Sequence, residues 1–556
     1  MENKSNPILE KYLPRTEFSS YEDFYNNYTV NVPEKFNFGF DIVDGWANIE
    51  PEKPALVWCN DDLNVTTYTF DYAKRYSNRA ANAFKKAGIK RGDVVMLILK
   101  QRPEVWWCIT ALCKMGAICI PATYQLTEKD IIYRCNAASV KMIVSVDDDY
   151  MLDNINISIP KCETLEKVAV VGDNIPENFI DFRKEIEEAS DVFEDDGMQK
   201  KDDLMLIYFS SGTTGMPKMV THDFFFPLGH IVTAKYWQCV ENGKIHMTQT
   251  DSGWAKFAWG KIYGQWIAGA AIGAYDTEKF QPMPMLRAME AIRPTTFCAP
   301  ATIYRYLIKE DLSGYDFSYI KHACVAGEPL NPEVFYQIKQ KMGFELHEGF
   351  GQTEGPVLIA NYPWIEIKPG SAGRITPNMG IKLIDENGNE CEDGIDGSIS
   401  VTGTDIKHPV GLFKGYHKDK EATERCWQNG IYSTGDMAWR DADGYIWFRG
   451  RNDDVIKCSG YRIGPFEVES ALLEHPSVLE CAVTAAPDPV RGQVVKATIV
   501  LAKGFTPSDE LKKELQNHVK KVTAPYKYPR IVEFVDKLPK TISGKISRKV
   551  IRDGDN

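Results

Sequence analysis

The densest chemistry in the chain lies in Tyr208-Phe209-Ser210-Ser211-Gly212-Thr213-Thr214-Gly215-Met216-Pro217-Lys218. An apolar run, Leu204–Phe209, opens into hydroxyls and glycines and closes on a lysine. Glycines let backbone amides approach phosphate oxygens, hydroxyls donate further hydrogen bonds, and the lysine supplies charge, so the segment reads as an anion cradle. It is not a Walker A loop, which needs Gly-Lys-Ser/Thr opening a helix; here Pro217 precedes Lys218. A functionless turn would not concentrate so many residues of these types. Five further segments group polar residues closely: Gly327-Glu328-Pro329, Glu348-Gly349-Phe350-Gly351-Gln352-Thr353-Glu354, Tyr432-Ser433-Thr434-Gly435-Asp436, Ser459-Gly460-Tyr461-Arg462-Ile463 and Pro539-Lys540-Thr541-Ile542-Ser543-Gly544-Lys545-Ile546.

In this order the six segments resemble the motifs of the adenylate-forming superfamily of acyl-CoA synthetases, peptide-synthetase adenylation domains and luciferases. The resemblance spans nearly the whole chain. It implies ATP as co-substrate, with Ser210 to Gly215 and Lys218 around the phosphates and Gly327, Glu328 and Pro329 at the adenine. It implies that the stretch Glu348 to Thr353 lines the nucleotide site, with Thr353 touching phosphate and acyl carboxylate. Glu354, with Thr213, would hold Mg²⁺, which as a hard cation suits carboxylate and phosphate oxygens. Asp436 is implied as acceptor for both ribose hydroxyls, Arg451 as its companion, and Arg462 as a phosphate or interface contact. Lys545 corresponds to the lysine of adenylation, a cation between the attacking carboxylate and the α-phosphate. Asp453 falls at the family's hinge; the plain alternative for Asp453-Asp454 is a solvated turn, which a hinge also is.

Coenzyme A is implied by a second set. Ser459, Gly460 and Tyr461 match the loop that swings in for the second half-reaction, where a side chain at Gly460 would block the thiol. Arg491, Tyr528, Pro529 and Arg530 resemble coenzyme A contacts of the medium-chain acyl-CoA synthetases, and Gln125 is grouped with them; arginine suits nucleotide phosphates. The acyl pocket is expected from two stretches, Asp251-Ser252-Gly253-Trp254-Ala255-Lys256-Phe257-Ala258-Trp259-Gly260 and Gly349-Phe350-Gly351. Acetate-specific relatives carry tryptophan at the Gly351 position, so glycine there implies room for a longer acid. Trp254 and Trp259 either cap that room or belong to the packed core. Lys256 has no assigned place.

Elements must hold these residues in register. Short apolar runs at Val94–Leu99, Cys119–Ile120, Met142–Val146, Leu204–Phe209, Thr296–Ala299 and Ala323–Val325 alternate with helical stretches such as Pro103–Met115. This βαβ rhythm predicts an α/β fold with mostly parallel sheets covered by helices. From about 381 to 450 the pattern turns to hairpins around Asn387-Gly388 and Asp443-Gly444, a β-rich subdomain. Beyond a connection at 451–454, an α+β module is expected over 455–556, with helices Pro465–Leu473 and Asp509–Val522. The large N-terminal domain would then be 1–450.

The 556 residues exceed what a single core sustains. The formal charge of −12 argues against a nucleic-acid partner but not against an anionic small ligand in a local basic pocket. The 13 cysteines contain no CxxC pair and no Cys/His cluster of zinc spacing. There is no apolar N-terminal h-region, and the most apolar window, Val105 to Ala122, is broken by Lys114 and reaches Pro121, too short for a membrane span. These features lead to the expectation of a cytoplasmic enzyme, with self-association left open. The expected reaction is AMP-forming ligation of a short- to medium-chain, linear or branched acid to coenzyme A. The alternatives are transfer to another acceptor such as a carrier protein, phosphoryl transfer, and a non-catalytic nucleotide binder of the same fold; the joint presence of Glu354, Asp436 and Lys545 argues against the last.

Overall fold

Val94–Ile98 and Val140–Val146 are apolar without alternation, so both faces must be covered, and a parallel sheet between helices does this. The computed structural model describes residues 6–200, 202–210, 216–458, 461–489, 491–541 and 545–554, and of Arg462 the backbone only. Ser211, Gly212, Thr213, Thr214, Gly215, Ser459 and Gly460 lie outside the described residues.

Two large sheets form the body. One has seven strands, in the order Ile180–Asp181, Lys167–Val171, Val140–Val146, Val94–Ile98, Ile118–Pro121, Leu204–Ser210 and Lys218–Asp223. All neighbours are parallel except the last pair, a hairpin whose register sets Ser210 opposite Lys218. The other has nine strands, parallel through its centre and antiparallel at both edges. Its central strands include Ile245–Thr248, Thr296–Ala299, His322–Ala326 and Leu346–Phe350. Candidate segments therefore begin where parallel strands end, at Ser210, Ala326 and Phe350, which is where open α/β sheets bind ligands.

The β-rich region follows as a five-stranded antiparallel sheet, in which Ile431–Arg440 pairs with Ile446–Arg451 and brings Asp436 opposite Arg451. The C-terminal unit is a five-stranded sheet built on the long pair Val478–Asp488 and Gly492–Leu501, with helices Pro465–Leu473 and Asp509–Val522 beside it. The helix of the apolar window runs Glu104–Met115 and stops at Gly116, whose φ of 69° is left-handed. The interrupting Lys114 is itself buried, its ammonium 2.6 Å from Asp44 and 2.7 Å from Asn78. Such a buried charge is tolerated because it is paired.

Candidate functional site

Lys218 starts the second strand of the hairpin, and its ammonium lies 4.5 Å from the centre of the Tyr416 ring. The Tyr416 hydroxyl donates to Glu354 Oε1 at 3.0 Å. Burial raises the Glu354 pKa, while Tyr416 and the Lys218 charge pull it back. Among the described residues no group of three or more His, Cys, Asp or Glu could by itself hold a metal ion. A single carboxylate fits Mg²⁺, which keeps several waters and shares substrate phosphates rather than filling a protein cage. Thr353 is held from below: its carbonyl accepts from His222 Nε2 at 2.9 Å. His222 is fully buried, and burial pushes its pKa down to about 3, so the ring is neutral and serves as a fixed donor.

On the other side of this loop, Gln352 Nε2 donates to Asp436 Oδ2 at 2.5 Å and to the Thr434 carbonyl at 2.9 Å. Its Oε1 accepts from the Tyr432 hydroxyl at 2.9 Å. Arg451 places a guanidinium nitrogen 3.7 Å from Asp436 and another 3.7 Å from Asp453. Burial raises Asp436 to about 6; Arg451, Gln352 and the Lys545 ammonium each favour its charged form. Lys545 is itself exposed, and its field reaches both Asp436 and Lys256. Asp436, Arg451, Gln352, Thr353, Glu354 and Lys545 are thus one constellation.

The adenine candidates behave differently from one another. Gly327 adopts φ +101°, a conformation natural to glycine. The Glu328 carboxylate is already engaged by the amide and hydroxyl of Thr302 and by Arg305 at 3.0 Å. Burial opposes its charge, but Arg305 and Thr302 outweigh this and hold its pKa below the usual range. Glu348, in the next strand opposite Val325, accepts from the Leu330 amide at 3.3 Å, and burial pushes it up to about 8. A neutral carboxyl at pH 7 can donate as well as accept.

The acyl side departs from the sequence expectation. A Cβ on Gly351 would lie 2.3 Å from the Trp259 ring, and one on Gly349 2.5 Å from the Trp237 ring. The space left by Gly351 is therefore not open: it admits the Trp259 indole. Gly349, in the strand Leu346–Phe350, and Gly351, just past its end, each receive an indole. The rings meet edge to face at 6.0 Å and are anchored by Trp237 Nε1 to the His347 carbonyl and Trp259 Nε1 to the Gly355 carbonyl, both 3.1 Å. Trp254 is half-buried where the helix Ala255–Gly260 begins, and Phe257 packs on Trp106 in the core. Lys256 points inward, not to solvent: its ammonium donates to the Ala326 carbonyl. Burial lowers its pKa, Cys298 and Glu328 oppose the fall, and Lys545 adds to it. Trp237, His222 and Tyr416 escaped the sequence reading because none belongs to a motif; Gly349 and Gly351, two residues apart, were the one available sign that large rings would pack there.

On the C-terminal unit Tyr461 stacks on Tyr526 at 4.2 Å, both partly exposed. Arg530 donates to the Tyr528 hydroxyl at 2.7 Å, and Pro529 lies buried between them. Pairing of Cys458 with Gly492 sets Arg491 next to the hairpin that leads to Tyr461. Gln125 is exposed on the N-terminal body, its amide donating to Thr123 Oγ1 at 3.3 Å.

Comparison with known proteins adds the following. A family model described as AMP-binding enzyme matches residues 43–417, and one described as AMP-binding enzyme C-terminal domain matches 467–545. The mitochondrial acyl-coenzyme A synthetase ACSM3 of Mus musculus is 40% identical over 544 residues, covering 96% of this chain and 93% of that protein. The mitochondrial ACSM5 of Homo sapiens is 41% identical over 532 residues, covering 94% and 91%. Among solved structures, an anthranilate CoA ligase, AuaEII, in complex with anthranoyl-AMP superposes with a TM-score of 0.86 at 27% identity, covering 94% and 98%. An acyl-CoA synthetase of Brucella canis does so with 0.73 at 32% identity, covering 97% and 99%. The mitochondrial naming of these relatives overturns the cytoplasmic location expected from the sequence. The physical reason is that a missing apolar h-region bears on secretion and not on import into an organelle. No helix among the described residues is long and apolar enough to cross a membrane.

Proposed function

The chain belongs to the AMP-binding enzyme family and is an AMP-forming acyl-CoA synthetase that uses ATP and coenzyme A, and from this premise we propose that its acid is of short to medium length, linear or branched. The observation that carries this reading is the Trp237–Trp259 pair seated on Gly349 and Gly351. The Trp259 indole, backed edge to face by the wholly buried Trp237, makes a rigid floor that limits length. Each methylene buried above that floor contributes about 0.8 kcal/mol, so preference should climb with chain length and then stop sharply.

In the first half-reaction a carboxylate oxygen of the acid attacks the α-phosphorus of ATP and the bond to pyrophosphate breaks. Lys545 and Lys218 face the charge that develops on the phosphate oxygens, and Thr353 orients the carboxylate. Glu354 would hold Mg²⁺, with Thr213, and the ion would supply charge neutralisation on those phosphates. Asp436 and Arg451 hold the ribose, and Glu348 with the backbone of Gly327 to Pro329 borders the adenine. The small unit then turns about Asp453, withdrawing Lys545 and bringing Gly460 and Tyr461 to the site. The thiolate sulfur of coenzyme A, its nucleotide held by Arg491, Tyr528, Pro529 and Arg530, attacks the acyl carbon, and AMP leaves with the bonding electrons. Rearrangements of this kind separate steps and exclude water.

A pyrophosphate-release screen over linear, branched and aromatic acids tests the substrate. Activity is expected to rise to a compact optimum and to fall beyond it; a profile indifferent to length ends the pocket reading.

A further inference from the structure

The helix Glu128–Ala138 touches both arms of the hairpin that carries Lys218. It opens where the Thr127 amide donates to Asp130 at 3.1 Å, and it ends at Ser139, whose φ of 57° is left-handed. Ile131, Arg134, Cys135 and Ala138 recur at helical spacing and are buried. Tyr133 stands on the flank of that face. Its hydroxyl donates to the Pro217 carbonyl at 2.8 Å, and its ring meets Phe209 edge to face at 6.0 Å. The Arg134 guanidinium lies 4.9 Å from the centre of the same Phe209 ring. Two adjacent residues of one helix therefore hold the end of the strand Leu204–Ser210 and the residue that precedes Lys218.

Pro217 needs a hold from outside the sheet. The described ladder between Leu204–Ser210 and Lys218–Asp223 ends at the pair Ser210 and Lys218, and a proline has no N–H to donate. The far end of the helix reaches the other side of the same site. Lys418 donates to the Ala137 carbonyl at 3.2 Å and to Ser139 Oγ at 3.0 Å. The segment before Lys418 is laced to the hairpin: the His417 amide donates to the Met219 carbonyl at 2.8 Å and the Lys414 amide to the Thr221 carbonyl at 2.9 Å. One helix thus braces the backbone on both sides of the contact between the Lys218 ammonium and the Tyr416 ring.

We propose that Tyr133 is a positioning residue for adenylation: its hydroxyl fixes the peptide just before Lys218 and so sets where the Lys218 ammonium stands when ATP arrives. This rests on the reading above that Lys218 faces the phosphate oxygens. Tyr133 acts through the Pro217 peptide and not on a reacting atom. Without its hydrogen bond the free enzyme samples other arrangements of that peptide. ATP then has to select the competent one, and the fraction lost appears as weaker apparent affinity. Saturating ATP restores the competent arrangement, so turnover changes little.

The test uses the full chain and compares wild type with Tyr133→Phe, which removes one hydroxyl and keeps the ring on Phe209. Pyrophosphate exchange gives KM for ATP and kcat of the first step, and acyl-CoA formation from supplied acyl-adenylate reads the second step alone. KM for ATP is expected to rise about fivefold, the size of one neutral hydrogen bond, while kcat of exchange and the thioester step stay within about twofold. The melting temperature should not move. Lys218→Ala is run in parallel. If it impairs exchange while Tyr133→Phe leaves KM for ATP unchanged, the inference falls and the phosphate reading stands. If neither alters exchange, that reading has failed and takes the inference with it. Equal loss of both half-reactions in Tyr133→Phe, with KM for ATP unmoved and a lowered melting temperature, assigns Tyr133 to structure and overturns the proposal.

Discussion

In the proposed mechanism Lys545 acts on one bond. Its ammonium is exposed yet close enough to Asp436 and Lys256 to bias both, as a group delivered to the site from another unit would be. Lys545→Ala is expected to cripple adenylation and largely spare acyl-CoA formation from supplied acyl-adenylate; equal loss in both assays would end that assignment. Asp436 gives a pH dependence. A carboxyl raised to about 6 is an anion at neutral pH and takes up a proton as pH falls through that value. Protonation would remove the acceptor proposed for the ribose, so KM for ATP should rise on the acid side, and Asp436→Asn should show the high KM throughout. The linked stability runs the other way: a raised carboxyl pKa stabilises the folded state at low pH, and that contribution is lost between the unfolded value of 3.8 and about 6 as pH rises. Gly351→Trp would force a Cβ to within 2.3 Å of an indole already in place, so it should lower the melting temperature and activity towards every acid alike. Trp259→Ala is the informative change at this site: it should move the chain-length optimum longer by one or more carbons, read as the ratio of kcat/KM between homologous acids.

Between elements, one clasp joins the last helix to the rest of the C-terminal unit. Arg548, on the helix Arg548–Asp553, holds Glu469 of Pro465–Leu473 through two contacts of 2.8 Å, and Glu469 also accepts from the Val483 amide at 2.8 Å. Asp454 pairs with Arg548 at 3.8 Å and with Arg552, so the connection after Ile446–Arg451 is tied to the same helix. Arg548→Met would leave Glu469 buried and unpaired, at a cost of about 3 kcal/mol. Amide exchange in Pro465–Leu473 and Val478–Asp488 should quicken by about a hundredfold for that loss. Unchanged protection would show that the clasp is redundant.

At the scale of the whole molecule, polar contacts between the two units among the described residues include Arg449, which reaches Glu467 at 3.0 Å while holding Asp396 at 3.0 Å, and Asn331, which donates to the Ser470 carbonyl at 3.1 Å. Polar contacts of this kind suit the small-unit rotation proposed above. Asp453 is half-exposed in the turn between the sheets, with Arg451 at 3.7 Å. Proline fixes φ near −65°, so Asp453→Pro is expected to leave adenylation measurable and stall thioester formation, with acyl-adenylate accumulating on the enzyme. Normal overall turnover would remove Asp453 from the pivot.

Local pattern alone determined much of this protein. Helices Pro465–Leu473 and Asp509–Val522 and the strand Thr296–Ala299 stand where the pattern put them, because apolar spacing acts within a few residues. The segments proposed to meet ATP were legible as candidates for a similar reason: each is a short run dense in glycines, hydroxyls and charged residues. What lies behind them was not. Trp237 and Trp259 come from segments 22 residues apart in the chain and meet where two glycines, in and just after a third segment's strand, leave room for both rings. Lys256 was unplaceable, since whether a lysine faces water or a buried carbonyl is decided by packing of distant strands. Gly351 read alone signified open space; tertiary structure filled that space with an indole, because a close-packed interior does not leave a void where a side chain is missing.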